Sequence, residues 1–360
     1  MLSTSYRKSE NVTGVMPKCL GGSSYRGLAP KASHHPGDLM RTVQINKVVP
    51  PVSFDDLCLK ADRIRHESVG DRVFLRGLIE ISNYCRCNCL YCGLRKDNKF
   101  LERYRLNEQA ILEAAREAAR SGVDTIVLQS GEDPAYRKRR IARIVAQIKD
   151  ETGLAITLSL GNRSMETYRL WWRAGASRYL LKHETADPVL YAAYHPGDSL
   201  ENRITALKRL HDVGFATGTG FIVGLPGQDD EILMQDILLT QSMQVEMCGV
   251  GPFIPQENTP LAYQSAGSVS KTLKIIAYLR SHIPRLNIPA TTALVSLSPE
   301  HGHELALRAG ANVIMPNFTP TKQRAKYAIY DGKADVSMED ACSAIRRTMR
   351  TVSMRTARGI

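Results

Sequence analysis

Aromatic residues and long apolar runs are scarce in this chain of 360 residues, and each shortage excludes a class of protein. Phe, Trp and Tyr make up 6% of the residues, which leaves few side chains on which nucleic-acid bases could stack. No apolar run approaches the roughly 20 residues of a membrane-spanning helix, and no apolar segment near the start resembles a secretory signal. We therefore expect a soluble protein that is not secreted.

Cysteine is also used sparingly, and half of the eight cysteines lie within one short segment. Small secreted domains that depend on disulfides are much richer in cysteine. A disulfide scaffold is therefore excluded. We expect Cys19, Cys58 and Cys248 to be unpaired, in a reducing, cytoplasmic compartment.

The net charge of +12 lies mainly at the two ends of the chain. Residues 1–50 hold seven Lys or Arg against two acidic residues, and residues 322–358 hold nine against four. A basic patch on a folded domain would indicate RNA binding more strongly than basic ends do. A non-catalytic nucleic-acid-binding iron–sulfur protein is a hypothesis of another class, and steep salt dependence of binding would favour it.

Residues 1–48 are rich in Ser, Gly, Pro and His and show little apolar periodicity, so they cannot bury enough surface to order themselves. We interpret them as a flexible basic leader. Their composition is also that of a transit peptide, but the Pro and Gly content argues against the amphipathic helix of such a peptide. We predict a catalytic barrel at 49–333 and a short C-terminal helical extension at 334–360.

Strand-like and helical patterns alternate after a first helix at 53–67. Apolar, β-branched runs predict strands at 73–82, 123–129, 154–160, 178–184, 215–224, 245–251, 287–292 and 311–315. Helical patterns lie between them at 107–121, 137–151, 164–174, 200–213, 229–243, 270–283 and 299–309. This alternation is typical of βαβ units and a parallel sheet. It predicts an α/β fold, a (β/α)8 TIM-type barrel, with an open barrel of six or seven strands as the alternative.

Functional side chains of such a barrel come from the carboxyl ends of its strands. Polar clusters follow the predicted strands at 129–133 (QSGED), 183–185 (HET) and 291–292 (TT), and the first strand runs into a cysteine-rich loop. Each cluster alone is equally well explained by turns or structural hydrogen bonds. Their joint placement predicts one ligand site at the mouth of the barrel.

The cysteine-rich loop contains Cys85, Cys89 and Cys92 in the spacing C-x3-C-x2-C. Three thiolates on one tight loop can hold three corners of a four-iron cluster and leave the fourth iron open. An open iron can bind a chelating molecule. The spacing therefore points to S-adenosylmethionine (SAM), bound at that iron and cleaved to a radical.

Cys87 lies between these ligands, so a four-cysteine zinc site is an alternative. Structural zinc usually takes two separated cysteine pairs, whereas these four thiols fall within eight consecutive residues. A bacterial ferredoxin motif would add a Cys-Pro after the third ligand, and the chain contains no Cys-Pro. We expect Cys87 to be an extra thiol that points away from the cluster.

These motifs together resemble those of radical SAM enzymes, and more closely those of the [FeFe]-hydrogenase maturase family called HydE. The resemblance covers residues 53–333. It rests on the strings at 89–95 (CLYCGLR), 125–133 (TIVLQSGED), 178–186 (RYLLKHETA), 223–228 (VGLPGQ), 249–255 (GVGPFIP), 287–293 (NIPATTA) and 310–317 (GANVIMPN). The cysteine spacing is typical of the superfamily, and the whole set of strings is typical of the family.

The resemblance implies two cofactors, a [4Fe–4S] cluster on Cys85, Cys89 and Cys92, and SAM. It implies SAM contacts from Tyr91 at the adenine, Gln129 and Ser130 at the methionine end, Glu184 at the ribose and Arg203 at the carboxylate. It implies a substrate cavity deeper in the barrel, lined by Thr157, Lys182, Thr291, Thr292, Met315, Tyr327 and Tyr330. No catalytic residue beyond the cluster and the SAM site is implied.

The chain departs from the family pattern in two places. The family commonly has Arg at the position of Lys182, and a point-like ammonium cannot reproduce the planar fork of a guanidinium around an anion. Some members carry a second cluster on three cysteines near the C-terminus, where this chain has only Cys342. We therefore predict no second cluster.

The resemblance also implies a reaction and its partners. SAM would be cleaved reductively to a 5′-deoxyadenosyl radical that acts on a sulfur-containing substrate, a cysteine-bound Fe(CO)2(CN) complex. The product would lead to the diiron subsite of the hydrogenase H-cluster. Implied partners are the radical SAM maturase that cleaves tyrosine, the GTPase scaffold, and an electron donor such as ferredoxin or flavodoxin. We expect no membrane and no nucleic-acid partner.

Biotin synthase and methylornithine synthase share the barrel and the cofactor, and they stay alternatives. Biotin synthase needs additional cysteines for a sulfur-donating cluster, and this chain lacks such a set. Methylornithine synthase acts on a diamine, which needs acidic partners. A cavity with Lys182 and two threonines suits an anion better.

Overall fold

The computed structural model describes residues 53–353, so the predicted leader at 1–48 lies outside the described residues. The strands are β1 (Arg72–Ser82), β2 (Thr125–Ser130), β3 (Ala155–Ser159), β4 (Arg178–Leu180), β5 (Ala216–Val223), β6 (Met247–Pro252), β7 (Val313–Ile314) and β8 (Thr351–Ser353). The helices are α1 (Phe54–Val69), α2 (Glu108–Arg120), α3 (Lys138–Thr152), α4 (Met165–Arg173), α5 (Pro188–Tyr194), α6 (Leu200–Val213), α7 (Asp230–Ser242), α8 (Val269–His282), α9 (Thr292–Leu297), α10 (Gly302–Arg308), α11 (Thr321–Arg324) and α12 (Met338–Arg347).

The strands form one sheet in the order β6-β5-β4-β3-β2-β1-β7, with every neighbouring pair parallel. β8 also pairs in parallel with the start of β1. Isolated parallel bridges from Met247 to Asn287 and from Pro289 to Val313 connect β6 with β7 through the segment between them. The sheet therefore curls back on itself into a TIM-like barrel, and the predicted fold class is confirmed.

The predicted seventh strand at 287–292 is the main local difference. This segment makes isolated bridges instead of a continuous ladder, because α9 begins at Thr292 and Pro289 lacks a backbone donor. The structure places α12 and β8 in the predicted C-terminal extension, which therefore contains a strand as well as a helix. The domain boundary at 333 stays a prediction.

Helix α2 illustrates how the outer layer forms on the sheet. The side chain of Asn107 accepts a hydrogen bond from the Ala110 N–H, which begins the helix. Apolar residues that include Ile111 and Ala118 recur at helical spacing and are buried in the core. A Cβ at Gly77 of β1 would lie 3.1 Å from that of Ala118, so the glycine permits this close approach.

The polar ends of the strands lie at one end of the barrel, because parallel strands all run in the same direction. The cysteine loop follows β1 there, and the QSGED string follows β2. Within residues 53–353, none of the helices has the length and apolarity that a membrane span needs.

Candidate functional site

The loop after β1 carries the cysteines of the C-x3-C-x2-C motif and has a defined backbone shape. The Lys96 N–H donates to the Cys87 carbonyl at 2.9 Å across the loop. The Gly93 N–H donates to the Ile329 carbonyl at 2.9 Å and joins the loop to the segment that follows α11. The loop is thereby held at the mouth of the barrel.

Cys85 has the most acidic thiol of this loop. Its sulfur accepts the N–H of Cys87 at 3.4 Å and that of Glu132 at 3.3 Å. A hydrogen bond from the Cys87 side chain lowers the pKa of Cys85 to about 7, although burial acts in the opposite direction. Burial raises the pKa of Cys92 to about 12 and also raises that of Cys89. That Cys87 is an extra thiol that points away from the cluster stays a prediction.

The donor set suits an iron–sulfur cluster, because Cys85, Cys89 and Cys92 supply three thiols from one loop. Among residues 53–353, no three His, Cys, Asp or Glu side chains converge where one metal ion could bind. A four-iron cluster takes each thiolate at a different iron, so its ligands need not meet at one point as those of zinc must. Gly131 allows β2 to approach the loop, because a Cβ there would lie only 2.7 Å from the Cβ of Cys85.

Tyr91, predicted at the adenine, connects the cysteine loop to helices α5 and α6. Its hydroxyl lies 2.9 Å from Nε2 of His195, whose ring stacks on Tyr191 with 4.0 Å between centroids. The Tyr191 hydroxyl accepts from Nε of Arg203 at 3.0 Å and donates to Asp198 at 2.8 Å. These contacts position Arg203 relative to the loop.

Arg203 is buried but remains a cation. Burial lowers its pKa, and the nearby Tyr191, Glu184 and Asp198 outweigh that effect and raise it above its usual value. A cleft of about 340 Å³ lies beside the guanidinium and the cysteine loop, and its lining includes Cys87, Cys89, Glu132, Asn162, His195 and Arg203. A guanidinium binds carboxylates and phosphates strongly, because it can donate two parallel hydrogen bonds to them.

Gln129 and Ser130, predicted at the methionine end of SAM, lie at the carboxyl end of β2. Gln129 Nε2 donates to the Tyr327 hydroxyl at 3.4 Å, which brings together two of the predicted site residues. The Ser130 hydroxyl instead donates to the Gly131 carbonyl at 2.6 Å. The Ser130 side chain therefore stabilises the local turn after β2.

Glu184 has a left-handed backbone with φ of 67°, which is uncommon outside glycine. A buried network holds the residues on either side of it. His183 Nδ1 lies 2.8 Å from Thr219 Oγ1, and its Nε2 lies 3.2 Å from Asp236 Oδ1. The same carboxylate oxygen accepts the Ala186 N–H at 2.6 Å. This network fixes the turn that carries Glu184.

Lys182 and Glu184 form an ion pair, with 3.8 Å between Nζ and Oε2. Glycines on β5 and β6 make room for the lysine. A Cβ at Gly220 or at Gly249 would lie 3.0 or 3.8 Å from the Lys182 Cε. The predicted ribose-binding carboxylate and the predicted substrate-binding ammonium are therefore adjacent.

The other predicted substrate residues differ in their available polar groups. Thr157 is fully buried, and its hydroxyl has no hydrogen-bond partner within residues 53–353. The Thr291 hydroxyl donates to the Val250 carbonyl at 3.0 Å. Thr292 begins α9, Met315 follows β7, and Tyr327 and Tyr330 lie in the segment after α11. Thr157 therefore offers a polar atom that a ligand could satisfy.

Sequence reasoning did not identify five residues that shape the site, namely Arg103, His195, Asp236, Glu80 and Lys333. The Lys333 Nζ lies 2.8 Å from Glu80 Oε1 inside the barrel. Burial raises the pKa of Glu80, although Lys333 opposes this. The acidic Glu80 within the apolar run of β1 was a signal visible in the sequence. No local pattern identifies Lys333 as its partner.

Comparisons with known proteins agree with this geometry. The family model described as "Radical SAM superfamily" matches residues 79–239. The "[FeFe] hydrogenase maturase subunit HydE" of Thermotoga maritima is 51% identical over 283 residues, which are 78% of this chain and 81% of that protein. The 3-methylornithine synthase of Methanosarcina barkeri is 32% identical over 83% of this chain and 84% of its own. A crystal structure of methylornithine synthase superimposes with a TM-score of 0.74 and 31% identity, covering 82% of this chain and 87% of its own.

Proposed function

This chain belongs to the radical SAM superfamily and, within it, to the family of the [FeFe] hydrogenase maturase subunit HydE, and on that premise we propose that it helps to assemble the diiron subsite of the hydrogenase H-cluster. It is a radical SAM enzyme, and membership implies a [4Fe–4S] cluster and SAM as cofactors. The main observation in support is that one barrel mouth carries the cysteine loop, Arg203 and the Lys182–Glu184 pair.

Cys85, Cys89 and Cys92 are the proposed cluster ligands. Thiolates bind the irons of such clusters, so each thiol must lose its proton on binding. The hydrogen bonds to the Cys85 sulfur favour its deprotonated form. When bound, the cluster and SAM supply a one-electron reductive cleavage that yields a 5′-deoxyadenosyl radical.

Arg203 and Glu184 are the proposed polar contacts of SAM. The guanidinium of Arg203 would pair with the SAM carboxylate, and its bond to Tyr191 fixes the direction in which the guanidinium points. The Glu184 carboxylate would accept hydrogen bonds from the ribose hydroxyls. Tyr91 at the adenine, and Gln129 and Ser130 at the methionine end, complete the proposed cofactor contacts.

The proposed substrate is a cysteine-bound Fe(CO)2(CN) complex, held in the cavity of Thr157, Lys182, Thr291, Thr292, Met315, Tyr327 and Tyr330. The Lys182 ammonium, and the Thr157 hydroxyl that has no hydrogen-bond partner within residues 53–353, suit a ligand that accepts hydrogen bonds and carries negative charge. The barrel would exclude water from this ligand and limit radical attack to its sulfur-containing group.

The methylornithine synthase relatives suggest a diamine substrate as a rival. A diamine would need carboxylates that are free to bind ammonium groups. The interior Glu80 is already paired with Lys333, and Glu184 is paired with Lys182. The charge distribution of the cavity therefore favours the anionic iron complex.

Several finer features belong to the same proposal. The proposal of a single cluster is supported by the sequence of the C-terminal region, where Cys342 is the only cysteine and three would be needed for a second cluster. A reducing, cytoplasmic location is supported by the free thiols of Cys58 and Cys248, while Cys19 lies outside the described residues. The proposed partners are the tyrosine-cleaving radical SAM maturase, the GTPase scaffold, and ferredoxin or flavodoxin as electron donor.

Anaerobic spectroscopy and product analysis test the proposal. The reconstituted protein should bind about four irons per chain, and SAM should change the electron paramagnetic resonance signal of the reduced cluster. Adding the cysteine-bound Fe(CO)2(CN) complex should then consume that complex and yield adenosylated products. The matched control is Cys89→Ala. A signal that SAM leaves unchanged, or turnover with a diamine but not with the iron complex, would refute the proposal.

A further inference from the structure

Arg103 lies after the cysteine loop and directs its guanidinium back at the loop backbone. NH1 donates to the carbonyls of Asn83 at 2.6 Å and Leu94 at 2.9 Å. NH2 donates to the carbonyls of Arg95 at 2.7 Å and Asn98 at 3.2 Å. Asn83 precedes the first cysteine of the motif, and the other three residues follow the last. One guanidinium therefore connects the two ends of the cysteine loop.

The acceptors of Arg103 are themselves held in place. The Asn83 side chain donates to the Lys326 carbonyl at 2.7 Å and accepts the Tyr104 N–H at 2.7 Å. The Asn98 side chain donates to the Gly93 carbonyl at 2.8 Å. The guanidinium thus binds a set of carbonyls whose positions are fixed from both sides.

We propose that Arg103 is a positioning residue that holds the cysteine loop in its cluster-binding shape before a cluster binds. The inference rests on the proposed function, since it takes Cys85, Cys89 and Cys92 as the ligands. A planar guanidinium presents its donors in a fixed fork, whereas a lysine ammonium is a single point that cannot reach four separated carbonyls.

Hydrogen exchange of the metal-free protein tests this role without SAM or substrate. The Gly93 amide, which is bonded to Ile329, and the Lys96 amide, which is bonded across the loop to Cys87, should exchange at least tenfold more slowly than in an unstructured chain. In Arg103→Lys this protection should fall at least tenfold while the β2 and β3 amides stay protected. Iron bound after anaerobic reconstitution should also decrease. Arg116→Lys is the control, since Arg116 pairs with Glu151 on the helical surface.

The inference would be overturned if the loop amides of Arg103→Lys were as protected as those of the wild type and the variant bound a normal amount of iron. If Arg103→Lys does not fold, the metal-free wild-type protein decides the question. Slow exchange at Gly93 and Lys96 would then support a loop shaped in advance, and exchange at unstructured rates would overturn it. None of these measurements depends on the reaction. A failure of this inference can therefore be distinguished from a failure of the proposed function.

Discussion

Asp236 of helix α7 anchors the turn that carries Glu184, and its replacement has a calculable effect. Its carboxylate accepts the Ala186 N–H at 2.6 Å, lies 3.2 Å from His183 Nε2, and accepts from Gln228 at 3.3 Å. Asp236→Ala would leave at least the Ala186 N–H and the His183 ring without their buried partner. Each such loss costs about 1–3 kcal/mol.

Part of that cost is offset, because the carboxylate is itself unfavourably buried. Burial raises the pKa of Asp236 even though His183, Ala186 and Gln228 stabilise the charged form. Removing a buried charge recovers some desolvation energy, so we expect Asp236→Ala to lower the free energy of unfolding by about 2–4 kcal/mol. The expected functional consequence is weaker SAM binding, since the left-handed turn at Glu184 loses its support.

Urea unfolding of the metal-free protein and equilibrium SAM binding to the reconstituted protein measure the two effects. Asp230→Ala is the matched control on the same helix. Asp230 is exposed and pairs with Lys271 at 2.8 Å, so its loss should cost less than about 1 kcal/mol. Equal stability of the two variants, or unchanged SAM affinity in Asp236→Ala, would refute the assigned role of the network.

Three further predictions concern the cavity and the loop. Lys182→Met keeps the side-chain length but removes the ammonium, so the affinity for the anionic complex, measured by titration, should fall roughly tenfold while SAM still binds. Gly131→Ala would place a Cβ 2.4 Å from the Tyr84 carbonyl oxygen and should reduce the iron bound per chain in a metal assay. Burial would raise the pKa of Asp133, but hydrogen bonds from Arg105 and Ser82 hold this pKa below its usual range. Asp133→Asn should therefore be destabilising near neutral pH in urea unfolding, and the difference should shrink as the pH falls below about 4.

The order of strands and helices was predictable because each element has its own local pattern. Helix α6 has the predicted bounds, since Ser199 begins it and Gly214 ends it with a left-handed backbone. The segment at 287–292 was mispredicted because its β-branched residues favour a strand, whereas Pro289 cannot donate to a ladder and Thr291 caps α9. Only tertiary contacts decide that choice.

The cysteine loop was predictable for a similar reason, because its ligands are close in sequence. The long-range contacts that support the site were not predictable from the sequence. Glu80 and Lys333 are 253 positions apart, and His183 and Asp236 are 53 apart, so no local pattern joins either pair. The direction of the Cys87 side chain stays a prediction, because the spacing of ligands does not report the direction of the side chain between them.

The two interior ion pairs differ in a way that bears on the substrate. The Glu80–Lys333 pair is tight, with a fully buried carboxylate 2.8 Å from the ammonium, although Glu80 Oε1 accepts no hydrogen bond within residues 53–353. The Lys182–Glu184 pair is looser at 3.8 Å, and 30% of the Lys182 side chain is exposed. If Glu184 binds the ribose, Lys182 loses part of its partner and becomes the available cation of the cavity. Cofactor binding would then increase the affinity for an anion, and by reciprocity the anion would increase the affinity for SAM.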